Sequence, residues 1–215
     1  MRDIKMNEIS NAIVDLEEDK VINLVKEKVN ANEDPYEILE ALRKGMSEIG
    51  AQSGEGGSVF LTDLIMAGEI FKQAMEILMP KLVDKKAESK GKVVIGTVEG
   101  DIHDIGKNIA ITFLEAEGFD VVDLGVDVPP EKFVEAIKEH SPQVVGLSGL
   151  LTLSIPPMKK TIQAIKDAGL REQVKVIIGG ERTDEEVCEN VGADDWVNDA
   201  VVGVQKIKTW VGGAA

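Results

Sequence analysis

Asp101-Ile102-His103-Asp104-Ile105-Gly106 follows an apolar, β-branched run from Val93 to Val98 and precedes a stretch of helical spacing that reaches about Glu117. The first run reads as a buried strand and the second as the helix after it. One of the chain's two histidines therefore stands at a strand-to-helix turn, where open α/β sheets place their ligands. As a neutral imidazole, His103 can offer one ring nitrogen to a metal while Asp101 accepts the proton on the other. A structural histidine fits the same residues taken alone. Two histidines and the single Cys188 are the whole supply of soft ligands. His140, before Ser141-Pro142, reads as a surface residue, so an ordinary zinc site is a poor fit. A metal on His103 would bring its other ligands with it, which points to a macrocyclic cofactor.

Other residues of interest fall at the ends of other predicted strands. Gly106 opens a helix and could allow close approach of a bulky ligand, while Lys107 and Asn108 read as solvent-facing helix positions. Ser148-Gly149-Leu150-Leu151-Thr152-Leu153-Ser154 reads either as a plain loop toward Pro156-Pro157 or as a wall of hydroxyls and leucines beside a slot. Gly179-Gly180 fits a turn or a place where a Cβ would obstruct a ligand. No Gly-x-Gly-x-x-Gly follows the first strand and no Walker lysine is present. Ser148 does not complete a Gly-x-Ser-x-Gly nucleophile elbow, since Gly146-Leu147 precedes it and Gly149-Leu150 follows. Cys188, inside a probable helix, reads as core.

The elements that must position these residues divide at the polar stretch Lys85–Gly91. Before it the apolar spacing is helical: Ile9, Ile13 and Leu16; then Val21, Leu24, Val25 and Val29; then Ile38, Leu42, Met46 and Ile49 behind the cap Asp34-Pro35. A glycine-rich segment from Gly50 to Gly57 follows, and Phe60, Leu64, Ala67, Phe71, Met75, Leu78 and Leu82 mark a fourth helix. This half, residues 1–88, predicts a four-helix bundle. Beyond it, β-branched runs at 92–98, 120–125, 143–148, 174–180 and 195–197 alternate with helical stretches near 106–117, 130–139, 156–168, 183–191 and 200–210. That alternation predicts a parallel five-stranded sheet covered on both faces in a second domain, 91–215.

The chain has 215 residues, with 39 acidic against 24 basic side chains and a formal net charge of -15. An acidic surface argues against nucleic acid and anionic membranes, which are bound through clustered Lys and Arg. The apolar runs are too short to cross a bilayer and the N-terminus lacks a signal-peptide core. With one cysteine there is no intrachain disulfide, and a cytoplasmic location is expected.

Asp101-x-His103-x-x-Gly106, Ser148-x-Leu150 and Gly179-Gly180 together resemble the three-part signature of the base-off, histidine-on B12-binding fold. Over both halves the chain resembles the corrinoid proteins of methanogen and acetogen methyltransferase systems and the cobalamin module of methionine synthase. The resemblance implies a helical cap domain and a flavodoxin-like, Rossmann-like α/β domain. It implies cobalamin or a related corrinoid as cofactor, with His103 as the lower axial ligand of cobalt. Asp101 would hydrogen-bond His103, and Ser154 would extend that relay. Ser148, Leu150 and Thr152 would line the slot for the displaced nucleotide tail, with Gly106, Gly179 and Gly180 making room. Glu181-Arg182 departs from relatives, which carry smaller side chains there and so have a less bulky slot rim. The Gly54–Phe60 segment also departs from their compact Gly-Glu-aromatic pattern, and is expected near the upper face of the corrin.

The same resemblance implies a methyl carrier without turnover of its own. Cob(I)alamin would take a methyl group from the substrate of a substrate-specific methyltransferase. Methylcobalamin would then pass it to a second methyltransferase acting on coenzyme M or tetrahydrofolate, and an ATP-dependent reductive activator would rescue oxidised cobalt. The donor stays open among methylamines, quaternary amines, methanol, methylthiols and methoxylated aromatics. A subunit of an adenosylcobalamin-dependent mutase shares the signature but has no need of a helical cap. A cobalamin-dependent sensor needs a DNA-binding domain, for which this acidic chain leaves no room. A cofactor-free scaffold domain leaves the aligned motifs to chance.

Overall fold

The computed structural model describes residues 2–53, 57–82 and 89–212. The chain divides into two compact units, Met1–Glu88 and Ser89–Ala215. The first contains the helices α1 (Arg2–Val14), α2 (Glu18–Asn30), α3 (Pro35–Ala51) and α4 (Leu61–Leu82). Most of the set that helical spacing picks out forms its core: Ile9, Ile13, Val21, Val25, Ile38, Leu42, Met46, Ile49, Leu64, Ala67, Phe71 and Leu78 are buried, while Leu16, Leu24, Val29, Met75 and Leu82 are half-buried. Asp34 caps α3 by accepting the Tyr36 N–H at 3.0 Å, with Pro35 in the first turn. Phe60 departs from its expected place in the buried stripe. It is 71% exposed because it precedes the helix, so the period of α4 does not govern it. Gly54, Glu55 and Gly56 of the glycine-rich segment lie outside the described residues, as do residues 85–88 of the expected boundary.

The second unit alternates β1 (Lys92–Thr97), α5 (Ile105–Glu117), β2 (Asp120–Asp123), α6 (Pro130–His140), β3 (Val144–Ser148), α7 (Ile155–Asp167), β4 (Lys175–Gly179), α8 (Glu185–Val191), β5 (Asp195–Val197) and α9 (Ala200–Gly212). The strands form one five-stranded sheet in the order β2-β1-β3-β4-β5, every pair parallel. This is the flavodoxin-like order, whose switch point lies between β1 and β3. Central strands buried on both faces explain the near-continuous apolar runs in β1, β3 and β4. On one face Phe133 and Ile137 of α6, Met158 and Ile162 of α7, and Cys188 of α8 pack with Val94, Val145, Leu147 and Ile178. The other face is covered by α5 and α9, which pack on each other.

Candidate cofactor and metal site at the strand ends

β1 and β3 are paired up to Thr97 and Ser148; beyond these residues the two chains diverge. The chain after β1 enters α5 on one face, and the chain after β3 enters α7 on the other. Divergence leaves backbone N–H groups facing the crevice with no strand to receive them, and each must find an acceptor. Asp101 supplies it. Its side chain is buried, with Oδ1 accepting the His103 N–H at 3.0 Å and lying 2.6 Å from His103 Nδ1. Oδ2 accepts the Leu150 N–H at 2.7 Å, the Leu151 N–H at 3.3 Å and the Ser154 hydroxyl at 2.6 Å. One carboxylate thus clasps the β1–α5 loop to the β3–α7 loop.

Burial alone would push the Asp101 carboxyl up. The donors from Ser154, His103 and Leu151 outweigh it and hold the group well below the usual carboxylate range. An ionised carboxylate only accepts, so the 2.6 Å contact requires the proton of His103 on Nδ1. The lone pair is then on Nε2, which among the described residues has no hydrogen-bond partner, and the ring is about half exposed. Three further bonds steady the loop: the buried Thr97 hydroxyl donates to the His103 carbonyl at 3.1 Å, Asp127 accepts the Gly100 N–H at 2.7 Å, and the Asp127 N–H reaches the Asp101 carbonyl at 2.9 Å.

The loops at this rim expose several apolar side chains. Ile102 is 72% exposed and Leu153 is 80% exposed, with Ile105, Val126, Leu150 and Leu151 also open to solvent. Solvent-facing apolar side chains gathered on loops tied to one carboxylate mark a binding surface for a large ligand. Among the described residues, no three His, Cys, Asp or Glu side chains converge as a metal site. A metal held at His103 would therefore have one protein ligand among the described residues, and the rest of its coordination sphere would come with the group that carries it.

A slot of about 630 Å3, measured out to its open mouth, runs between the sheet and the α5–α9 pair. Its walls are apolar, including Ile95, Ala110, Leu114, Ile177, Val204 and Ile207. Gly106, Ser148, Gly179 and Gly180 line it as well, drawing together one residue or pair from each sequence cluster. A Cβ on Gly106 would meet nothing within 4 Å, so its hydrogen keeps space open. Gly180 has a different reason: its φ of +149° and a would-be Cβ 1.9 Å from the Gly149 carbonyl demand glycine for the backbone itself.

Leu150 and Thr152, expected in the slot, are not among its lining residues. Leu150 contributes its N–H to Asp101, and Thr152 is exposed at the start of a 3-10 turn, Thr152–Ser154. The cause is the loop's path: after Gly149 the chain turns over Asp101, away from the slot. Lys107, expected in solvent, is 3% exposed and lines the slot. The spacing Lys107, Ala110, Leu114 carries the signal for that burial, because it puts the lysine on the apolar face of α5. The amides of Leu150 and Leu151, which no side-chain pattern reveals, were not foreseeable from residue type.

The B12 binding domain family matches residues 91–205, and a second B12 binding domain family matches residues 6–79. The chain is 39% identical to trimethylamine corrinoid protein 1 of Methanosarcina acetivorans, over 92% of this chain and 93% of that protein. It is 40% identical to dimethylamine corrinoid protein 1 of the same organism, over 94% and 95%. Among solved structures, a cobalamin-binding protein from Desulfitobacterium hafniense DCB-2 is 42% identical with a TM-score of 0.76, over 95% of this chain and 98% of that one. The methanol:cobalamin methyltransferase complex of Methanosarcina barkeri is 26% identical with a TM-score of 0.83, over 100% of this chain and 82% of that one.

Proposed function

The chain belongs to the B12-binding corrinoid proteins, and on that premise we propose that His103 is the axial ligand of a corrinoid cobalt and that the slot beneath α5 and α9 receives the cofactor's nucleotide tail. The protein is a methyl carrier of a methyltransferase system, and turnover requires its partner methyltransferases. The bound corrinoid supplies a cobalt that can carry a methyl group between two partner proteins. All else at the site is work done by this chain's own residues.

The observation that carries the reading is the Asp101-oriented imidazole with its free Nε2, beside a preformed slot at the switch point. The residues fit the group. A single nitrogen ligand is what a macrocycle with its own equatorial nitrogens leaves to the protein. The exposed apolar rim around His103 suits a broad, largely apolar face, and the slot is open where Gly106 lacks a side chain. Asp101 holds the proton at Nδ1 and keeps Nε2 as a donor of electrons. Ser154, fully committed to Asp101 Oδ2, restrains the carboxylate so that it cannot turn from the ring. The apolar rim excludes water from Nε2 when a ligand lies on it.

The identities to trimethylamine and dimethylamine corrinoid proteins are 39% and 40%, so the chain as a whole does not favour one donor. We assign the choice of donor to the first, substrate-specific methyltransferase. The second methyltransferase delivers the methyl group to coenzyme M or tetrahydrofolate, and an ATP-dependent reductive activator restores oxidised cobalt. No described helix is long and apolar enough to cross a membrane, and we place the protein in the cytoplasm.

The test is the absorption spectrum of the full chain reconstituted with cobalamin, beside the His103→Ala variant. Stoichiometric binding with an imidazole-ligated, base-off spectrum that the substitution abolishes is the expected outcome. Failure of the wild-type chain to retain cobalamin overturns the assignment of the site. A spectrum indifferent to the substitution overturns the role of His103.

A further inference from the structure

Lys107 is the most deeply buried charge beside the slot. Its side chain is 2% exposed, and its ammonium donates to both oxygens of Asp123, at 2.7 and 2.8 Å, and to Asn108 Oδ1 at 2.9 Å. A buried ammonium is costly unless paired and hydrogen-bonded, and here all three of its protons are used. Asn108 in turn donates to Asp104 Oδ2 at 3.1 Å. Asp123, at the end of β2, also accepts the Gly125 N–H at 2.9 Å, and the Gly125 carbonyl receives the Thr97 N–H at 3.0 Å. The chain of bonds therefore runs from the first turn of α5, through the β2–α6 loop, to the last residue of β1.

That anchor matters because, beyond the bonds that hold His103 to Asp101 and Thr97 and the Asn108–Asp104 bond, α5 has little to fix its start. The residue before it, Asp104, makes no side-chain cap bond to the helix, and its first turn contains no acidic side chain. Gly106 presents no Cβ that could pack. Among the described residues, no other side-chain hydrogen bond ties residues 105–109 to the sheet. Helix starts normally draw on caps and first-turn carboxylates; this one is seated through an ion pair with a neighbouring strand.

We propose that Lys107, through its ion pair with Asp123, is a positioning residue for the cofactor site: it seats the first turn of α5, and so sets both the placement of His103 and the width of the slot mouth at Gly106. The proposal rests on the reading of the site given above. The Lys107 ammonium is spent on Asp123 and Asn108; it acts on two neighbouring features, His103 four residues before it and the slot wall it forms with Gly106 and Ala110. The geometry makes the ion pair, rather than the lysine's stem, the effective part.

The experiment uses full-length chain, hydroxocobalamin as probe, and three variants: Lys107→Met, which retains a linear stem without the charge, Asp123→Asn, which weakens the same pair from a half-exposed position outside the slot lining, and the double substitution. Three readouts are taken: retention of hydroxocobalamin, the absorption signature of imidazole ligation, and amide hydrogen exchange of residues 103–109 in the cofactor-free protein. Each single variant should retain cobalamin about 10- to 100-fold more weakly, the range for loss of a partner that orients a metal ligand. Each should lose part of the imidazole signature and exchange faster at 103–109 while the central strands stay protected. The double variant should be no worse than Lys107→Met, because both changes remove one interaction. Unchanged retention and spectrum in both single variants overturn the proposal. So does a loss of retention that only tracks a globally unfolded fraction, seen as faster exchange in the central strands as well. If Lys107→Met does not fold, Asp123→Asn alone decides between these outcomes. A wild-type chain that retains no hydroxocobalamin refutes the site assignment itself, a result distinguishable from either.

Discussion

Asparagine at position 101 keeps the volume of aspartate and exchanges one of its two acceptor oxygens for a donor. The native carboxylate receives the His103 N–H and Nδ1–H on one oxygen, and the Leu150, Leu151 and Ser154 donors on the other. If the asparagine oxygen faces His103, its NH2 group confronts the N–H groups of Leu150 and Leu151, and only the Ser154 hydroxyl can rotate to accept. If the amide is turned over, its NH2 confronts the His103 backbone N–H, and the ring must move its proton from Nδ1 to Nε2 to receive it. The first arrangement strands two buried donors. The second strands one and blocks the nitrogen that should bind metal. Leaving a buried donor unsatisfied costs about 1–3 kcal/mol, so the cofactor-free chain takes the second arrangement, with one stranded donor, and loses about 1–3 kcal/mol.

Urea unfolding of the full chain, followed by tryptophan fluorescence, measures this loss where it occurs, because both tryptophans, Trp196 and Trp210, belong to the Ser89–Ala215 unit. The expected result for Asp101→Asn is a lower midpoint at unchanged slope, together with loss of the imidazole-ligated spectrum in the cobalamin-loaded protein. A destabilisation under about 0.5 kcal/mol, the ordinary scatter of a neutral surface change, would refute the argument that this carboxylate clasps the two loops.

The same carboxylate predicts a pH dependence. Its folded-state pKa is lowered, so the unfolded chain binds the proton more readily, and stability from Asp101 is present above the unfolded value of about 3.9 and lost as pH falls below it. Asp194 has the same sign: burial pushes it up, but the Val176 N–H, Lys175 and Arg171 together lower it. The gap in urea midpoints between wild type and Asp101→Asn should therefore narrow as pH falls from 6 to 3, without closing, because the folded-state value lies below that range; a constant gap across the range contradicts the linkage. Gly106→Ala separates stability from binding. A Cβ there meets no protein atom, so the cofactor-free chain should be unchanged or up to about 1 kcal/mol more stable through helix propensity, while cobalamin retention drops at least tenfold. Retention equal to wild type would remove Gly106 from the cofactor's path.

Periodicity revealed the scaffold because burial repeats along an element. Ile38, Leu42, Met46 and Ile49 lie on one face of α3, and Val144, Val145 and Leu147 are buried in a strand covered on both sides. The contact between Asp101 and His103 was legible for a different reason: a carboxylate two residues before a histidine, at a turn after a strand, is within reach of its ring, although a structural histidine fits those residues as well. What escaped were interactions decided by backbone direction. The Leu150 and Leu151 amides point at Asp101 because of the route the chain takes after Gly149, and Leu150 and Thr152 miss the slot for the same reason. Lys107 misled because charge usually marks a solvent face. Its partner, Asp123, is sixteen residues away on another element, a pairing that only the adjacency of β1 and β2 creates.

That adjacency and the switch point account for the ligand anchor and the slot together. In the order β2-β1-β3-β4-β5, β1 and β3 are neighbours whose following helices go to opposite faces. Their parting exposes the amides of residues 103, 150 and 151 to one crevice, and a buried carboxylate is the economical way to satisfy them all. Once Asp101 is held there by backbone donors and the Ser154 hydroxyl, its Oδ1 edge can orient a histidine. The slot then opens on the α5–α9 face, where Gly106, Ala110 and Gly203 keep the helices' contribution to its lining small. The binding site is thus a consequence of one strand-order reversal, with Asp101 resolving its hydrogen-bond deficit and the glycines preserving the space it leaves. An Asp101 variant should on this account disturb the loop amides before it disturbs the slot, so faster exchange at His103 with unchanged exchange at Ala110 and Val204 is the pattern that hydrogen-exchange measurements on Asp101→Asn should return. Equal acceleration at both places would mean that the carboxylate holds up the domain as a whole rather than the crevice.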